Sequence, residues 1–260
     1  MYTTLQFFDR YRGIFLFLLV FLLLGSQGYA QTTGTGSPGL RIDVSGANEE
    51  GDLGLAIQLV IAMTILTLGP SVIMMMTCFT RIIIVLGFVR NAIGVNAAPS
   101  SQIIIGLGLF LTFFIMGPVW NKIYDDAVTP YMEKAMLSSE ALEVATAYMK
   151  DFMMNQTRQE DAQFFLEISR QGAMTRDELP LSIVVPSFIL SELRTAFQMG
   201  FLIFIPFIVV DFIVASTLMS MGMMMMPPVV ISMPFKLLLF VLVDGWYLIV
   251  QSLVESFNIS

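Results

Sequence analysis

Residues 197–250 read FQMGFLIFIPFIVVDFIVASTL, MSMGMMMMPP and VVISMPFKLLLFVLVDGWYLIV in succession. The outer stretches, Phe197 to Leu218 and Val229 to Val250, are each long enough to span a hydrocarbon core of ~30 Å as a helix. The connector resists helical continuation. Successive residues of a helix turn by about 100°, so Met223, Met224, Met225 and Met226 cannot share one face. Pro227 and Pro228 lack the amide that a helix interior needs, and proline restricts the residue before it. With Gly222 on one side and the prolines on the other, the run reads as a loop between two apolar helices.

Non-helical backbone at membrane depth persists only where protein buries it or where it lines a cavity. Methionine is unbranched and polarisable, so a methionine surface re-packs around differing contacts. Two readings stay open from the residues alone: ordinary core filling, or an apolar seal that yields to a passing chain and closes again. The seal needs several copies, because one chain with four or five apolar segments cannot encircle a polypeptide-sized conduit.

Charges interrupt this half of the chain. Glu192, Arg194, Asp211, Lys236 and Asp244 lie within or beside the apolar stretches. An ionisable group facing lipid costs several kcal/mol, so such groups usually face protein or a water-filled cavity. Glu192 and Arg194 project from different sides of a helix. Asp211 has no charge within four residues, and Lys236 stands about two turns from Asp244. Their partners are expected on other helices or other chains.

Working outward, residues 120–182 hold 17 of the 33 charged residues, 11 acidic and 6 basic. This middle reads as a small helical, extracytoplasmic subdomain. Thr129 before Pro130 predicts a helix start. Ser139 predicts a cap for a helix with Leu142, Ala145, Met149 and Phe152 on one face. Thr157 and Glu160 match a capping box, and Gly172 a helix C-terminal glycine. Before it, residues 54–119 form a first apolar half, with Gly69-Pro70 as an expected kink. Arg81 and Arg90 flank Ile82 to Val89, and two arginines without an acid over 81–102 suggest a cytoplasmic side. The second apolar half is 183–260.

Residues 1–30 read as a cleavable signal peptide. Arg10 and Arg12 precede the eleven-residue apolar run Ile14 to Leu24, and Gly28-Tyr29-Ala30 offers a small-x-small site for cleavage between Ala30 and Gln31. Residues 31–53 read as a polar linker.

The composition sets the class: 56% hydrophobic, 13% charged, mean hydropathy +0.79. An all-α integral membrane-type protein is expected. The chain has no histidine and one cysteine, which excludes His-based triads, histidine-ligated metals and an intrachain disulfide. A net charge of −7 argues against a nucleic-acid surface. No metal, cofactor or enzymatic activity is expected.

Three strings carry a longer match: Thr80 to Asn91 (TRIIIVLGFVRN), Pro186 to Phe197 (PSFILSELRTAF) and the methionine loop ending in Pro227-Pro228. In these the chain resembles the FliP family, the flagellar branch of the type III protein-export gates. The resemblance covers nearly everything from Leu55 onward. It implies long bent helical hairpins, with five copies assembling with FliQ and FliR into a helical ring, largely at periplasmic level in the inner membrane and basal body. It implies FlhA, FlhB and a soluble ATPase nearby, and unfolded flagellar proteins as cargo. By resemblance Met223, Met224 and Met225, with Met226 adjacent, form a pore gasket, and Glu192, Asp211 and Lys236 a buried inter-subunit charge cluster. An injectisome paralogue is the nearest alternative, and the signal peptide favours the flagellar branch. An ion or proton channel using Asp211 and Lys236 is a further alternative, though the uncharged loop offers no relay.

Overall fold

The computed structural model describes residues 52–94, 99–170, 172, 174–223 and 226–257. The expected signal peptide, its cleavage point at Ala30 and Gln31, and nearly all of the linker lie outside these residues. Regular structure among the described residues is helical throughout. The chain is thus an all-α membrane-type protein. Helix α1 spans Asp52–Met75, α2 Phe79–Ile93 and α3 Ser101–Ile123. A π-turn, Tyr124–Val128, leads into the short α4, Thr129–Met132. Then come α5, Ser138–Gln156, and α6, Gln159–Ser169. The second half holds α7, Leu181–Ser220, α8, Pro228–Leu242, and α9, Gly245–Glu255. Ser101–Met132 and Leu181–Ser220 are each long and apolar enough to cross a bilayer, and α8 with α9, bent by 63°, make a third candidate.

Helix α2 sits at the centre of the compact unit that begins at Ile57. Ile82, Val85, Leu86, Val89 and Ile93 recur at helical spacing and are buried against α3 and α7. Burying each such aliphatic contributes roughly 1.5–3 kcal/mol. Two glycines of this unit differ in what they require. A Cβ on Gly108 of α3 would lie 3.6 Å from the Phe79 ring, an ordinary contact, so a methyl group fits there. A Cβ on Gly200 of α7 would collide with Phe88, 2.6 Å from its Cγ. Phe88 fills that space and meets Phe197 edge to face, with 5.3 Å between ring centroids.

Several local expectations change. Helix α1 carries on through Gly69-Pro70, and the break comes at Met76 to Cys78, where Thr77 turns its amide and hydroxyl back to the Met74 carbonyl. The Thr129-Pro130 signal coincides with the start of α4 at Thr129, but Thr129 is itself helical and the cap position falls at Val128. Pro130 has no amide for a regular continuation, and the preceding turn widens into the π-turn. Helix α5 starts at Ser138, where the Leu137 amide donates to Glu140 at 3.1 Å. Phe152 faces the core as expected while Leu142 points to solvent. Thr157 and Glu160 form no capping box, because the Thr157 hydroxyl donates to the Met153 carbonyl and Glu160 turns to Arg194. Helix α6 ends in a left-handed residue, but Arg170 occupies it (φ 54°) ahead of Gly172.

Candidate functional site

The methionine loop begins with a regular helix stop. The Gly222 amide donates to the Met219 carbonyl at 3.0 Å, and the Met223 amide to the Leu218 carbonyl at 3.0 Å. Those two bonds make a Schellman cap, which needs a left-handed residue where Gly222 has φ 78°. On the other side, extended Pro227 precedes Pro228, the first residue of α8, where a missing amide costs nothing. Gly222, Pro227 and Pro228 thus bound the loop as the sequence predicts. Met219, Met221, Met223 and Met226 are 61%, 67%, 37% and 46% exposed. Core filling does not describe them. Met224 and Met225 lie outside the described residues.

Three ionic sites punctuate α7. Deepest is Glu192, fully enclosed, whose two oxygens accept bonds from Nε (2.8 Å) and Nη2 of Arg81 on α2. A bidentate guanidinium–carboxylate pair is the geometry in which a buried charge pair is best satisfied. Two residues on, Arg194 projects to another side, as its spacing requires, and meets Asp161 of α6 at 3.0 Å and Glu160 at 3.4 Å. Asp161 is buried. It also accepts the Ser191 hydroxyl at 2.6 Å, and Ser191 in turn accepts the Arg158 amide at 3.0 Å. This chain of bonds pins the start of α6 to α7.

The third site lies some five turns further along α7. Lys236 Nζ of α8 meets Asp211 at 2.6 Å, and the Ser232 hydroxyl donates to the same carboxylate. Lys236 and Ser232 are buried, while Asp211 keeps a third of its side chain exposed. Beside this pair runs an apolar groove of about 650 Å³ between α7 and α8, lined by Val210, Ile213, Val214, Ile231 and Phe235 among others.

Each charge flagged within α7, and Lys236 on α8, therefore finds its partner on another helix of the same chain. The structure does not gather Glu192, Asp211 and Lys236 into one cluster within the chain; Glu192 belongs to a separate pair. Sequence reasoning missed Arg81 and Asp161 as partners. The signal at Arg81 was available, a charge at the start of an apolar run in α2, but its partner lies 111 residues away. Among the described residues no group of histidine, cysteine, aspartate or glutamate could hold a metal ion.

Residues 62–253 match the profile described as the FliP family, a span that takes in the loop and all three ionic sites. The chain is 48% identical over 217 residues to the flagellar biosynthetic protein FliP of Bacillus subtilis, covering 83% of this chain and 98% of that protein. It is 43% identical over 256 residues to its namesake in Borreliella burgdorferi, covering 95% and 99%. With the namesake of Buchnera aphidicola from Acyrthosiphon pisum it is 50% identical over 203 residues, 78% of this chain and 54% of that longer protein.

Proposed function

The chain belongs to the FliP family, and from that premise we propose that it is a core subunit of the flagellar type III protein-export gate. Several copies, five on this reading, surround an axial passage for unfolded flagellar proteins. They stand with FliQ and FliR in one complex, close to FlhA and FlhB, in the inner membrane and basal body largely at periplasmic level. Residues 1–30 are removed after Ala30, and residues 120–182 form the periplasmic-side subdomain. The loop Met223 to Met226 closes the passage.

The exposure of the loop methionines carries this reading. A loop whose described methionines, Met221, Met223 and Met226, stand outside the core of their own chain, between a Schellman cap and a proline pair, is placed to meet something else. The length of α7 agrees with it. Forty residues make a helix of about 60 Å, twice a hydrocarbon core of ~30 Å. Phe201, Leu202, Phe212 and Ile213 are exposed along its second half, so that surface is left for lipid or for a neighbouring subunit to cover.

Replacing Met223, Met224 and Met225 with alanine is the test. Passage of a small membrane-impermeant dye should rise while export of flagellin persists. Permeability equal to that of wild type in cells holding normal amounts of the variant would overturn the seal.

A further inference from the structure

Arg81 has more partners than neutralising Glu192 requires. Its Nη1 donates to the backbone carbonyl of Ser256 at 2.9 Å and to the Ser256 hydroxyl at 3.0 Å. Its guanidinium carbon lies 3.9 Å from the centre of the Phe257 ring. These residues form the turn after α9, 175 residues along the chain and just beyond the residues that match the family profile. Phe257 is buried, as is Leu253 one turn earlier.

The arm made of α8 and α9 has few other polar ties to the rest of the chain. Val229, Val230, Leu238, Val241 and Leu242 of α8 are exposed. The 63° bend falls at Val243 and Asp244, and Asp244 sits there with φ 50°, a conformation unfavourable for a residue with a Cβ. Polar contacts fix such an arm at two places. Near the methionine loop, Lys236 and Ser232 hold Asp211; beyond the bend, Ser256 and Phe257 hold Arg81.

We infer that Ser256 and Phe257 are an internal ligand of the Arg81–Glu192 pair, which makes Arg81 a positioning residue for the arm that carries the methionine loop. Guanidinium has five donors in a fixed fork, and Glu192 engages only one edge of it. A buried donor left unmet is costly, and an aromatic face stabilises the cation further. The turn supplies a carbonyl, a hydroxyl and a ring within two residues, so the pair is fully satisfied only when the far end of the arm is docked. The docking stands on these contacts alone; only its consequence for the loop rests on the export-gate reading.

The native thiol gives the test. Cys78 is the sole cysteine, is fully buried, and lies three residues before Arg81. Its Sγ meets the Thr112 carbonyl of α3 at 3.9 Å, so its alkylation by N-ethylmaleimide in the full-length, membrane-embedded protein reports loosening of the Arg81 end of α2 from the helices that enclose it. Ser256→Ala with Phe257→Ala should raise the labelling rate about tenfold, the loss expected for a charge-assisted bond and a ring contact. Arg81→Lys should do likewise, and the triple variant should label no faster than the faster of the two, since both loosen the same junction. Ser256→Thr, which keeps the hydroxyl and leaves the Phe257 ring in place, should remain protected. Wild-type protection in the alanine pair overturns the inference, as does a triple variant whose acceleration is the product of the separate ones. Should Arg81→Lys fail to accumulate, the alanine pair against Ser256→Thr decides. No export measurement enters, so failure here leaves the gate reading standing, and failure of the dye test leaves this docking standing.

Discussion

The two halves of α7 are one continuous helix with opposite surroundings. From Leu181 to Gly200, eight residues are buried, among them Phe188, Ser191 and Glu192; from Phe201 to Ser220 only Phe207 and Leu218 are. Composition does not make the difference, since the second half is the more apolar. In the first half the chain supplies its own partners, α2 on one side and α6 on the other. In the second half α8 covers one side and the remaining apolar surface is left open within the chain, to lipid or to protein. Hydrophobicity therefore says that a helix will be covered, and only the partner inventory says by what.

The largest expected effect breaks the enclosed half. Glu192→Ala strands Arg81 in the interior, a loss of about 3–5 kcal/mol. Full-length protein in detergent should show a lower midpoint for urea unfolding, or fail to accumulate. Lys236→Ala belongs to the open half and leaves Asp211 only partly buried, so the chain itself should lose less, about 1–3 kcal/mol. On the export-gate reading, the yield of intact complex on a native gel should fall further than chain stability does. An isolated chain as damaged by Lys236→Ala as by Glu192→Ala would erase the contrast between the halves.

Gly200 marks the boundary between them. A methyl group there meets the Phe88 ring, and moving the ring disturbs its contact with Phe197. Gly200→Ala should cost about 1–2 kcal/mol by overpacking. Gly87→Ala, on the central helix where nothing lies within 4 Å of the new methyl, should instead be neutral or stabilise by up to about 1 kcal/mol through helix propensity. Equal unfolding midpoints for the two variants would mean that the helices slide apart freely at Gly200.

The legible parts of this fold were those that local chemistry dictates. Gly222 and Pro227-Pro228 announce a helix stop and start, and the structure has a left-handed cap and a proline-led helix there. The two-residue spacing of Glu192 and Arg194 required divergent partners, and they have them. What stayed hidden was long-range. Glu192 and Arg81 are 111 residues apart, and no spacing rule reaches across that distance. Local signals also failed where tertiary packing overrode them. Leu142 fits the apolar stripe of α5 yet points outward, and Thr157 turned its hydroxyl into the preceding helix instead of capping the next.

The smallest expected effect comes from the water-facing region and completes the comparison from the solvent side. Glu178 is exposed, and the Thr175 amide donates to its carboxylate at 3.0 Å. That bond favours the charged form and holds the carboxyl below its ordinary value of 4.5. A depressed folded value means the stabilisation is present at neutral pH and is lost as pH falls through it. Hydrogen exchange at the Thr175 amide should therefore lose protection, beyond the intrinsic pH dependence, between about pH 5 and pH 3. Glu178→Gln should flatten that profile while leaving global unfolding unchanged, since an exposed cap holds only its own turn. A wild-type amide equally protected across that window would show that the Thr175 turn needs no charge, and that acids matter to this fold only where helices enclose them.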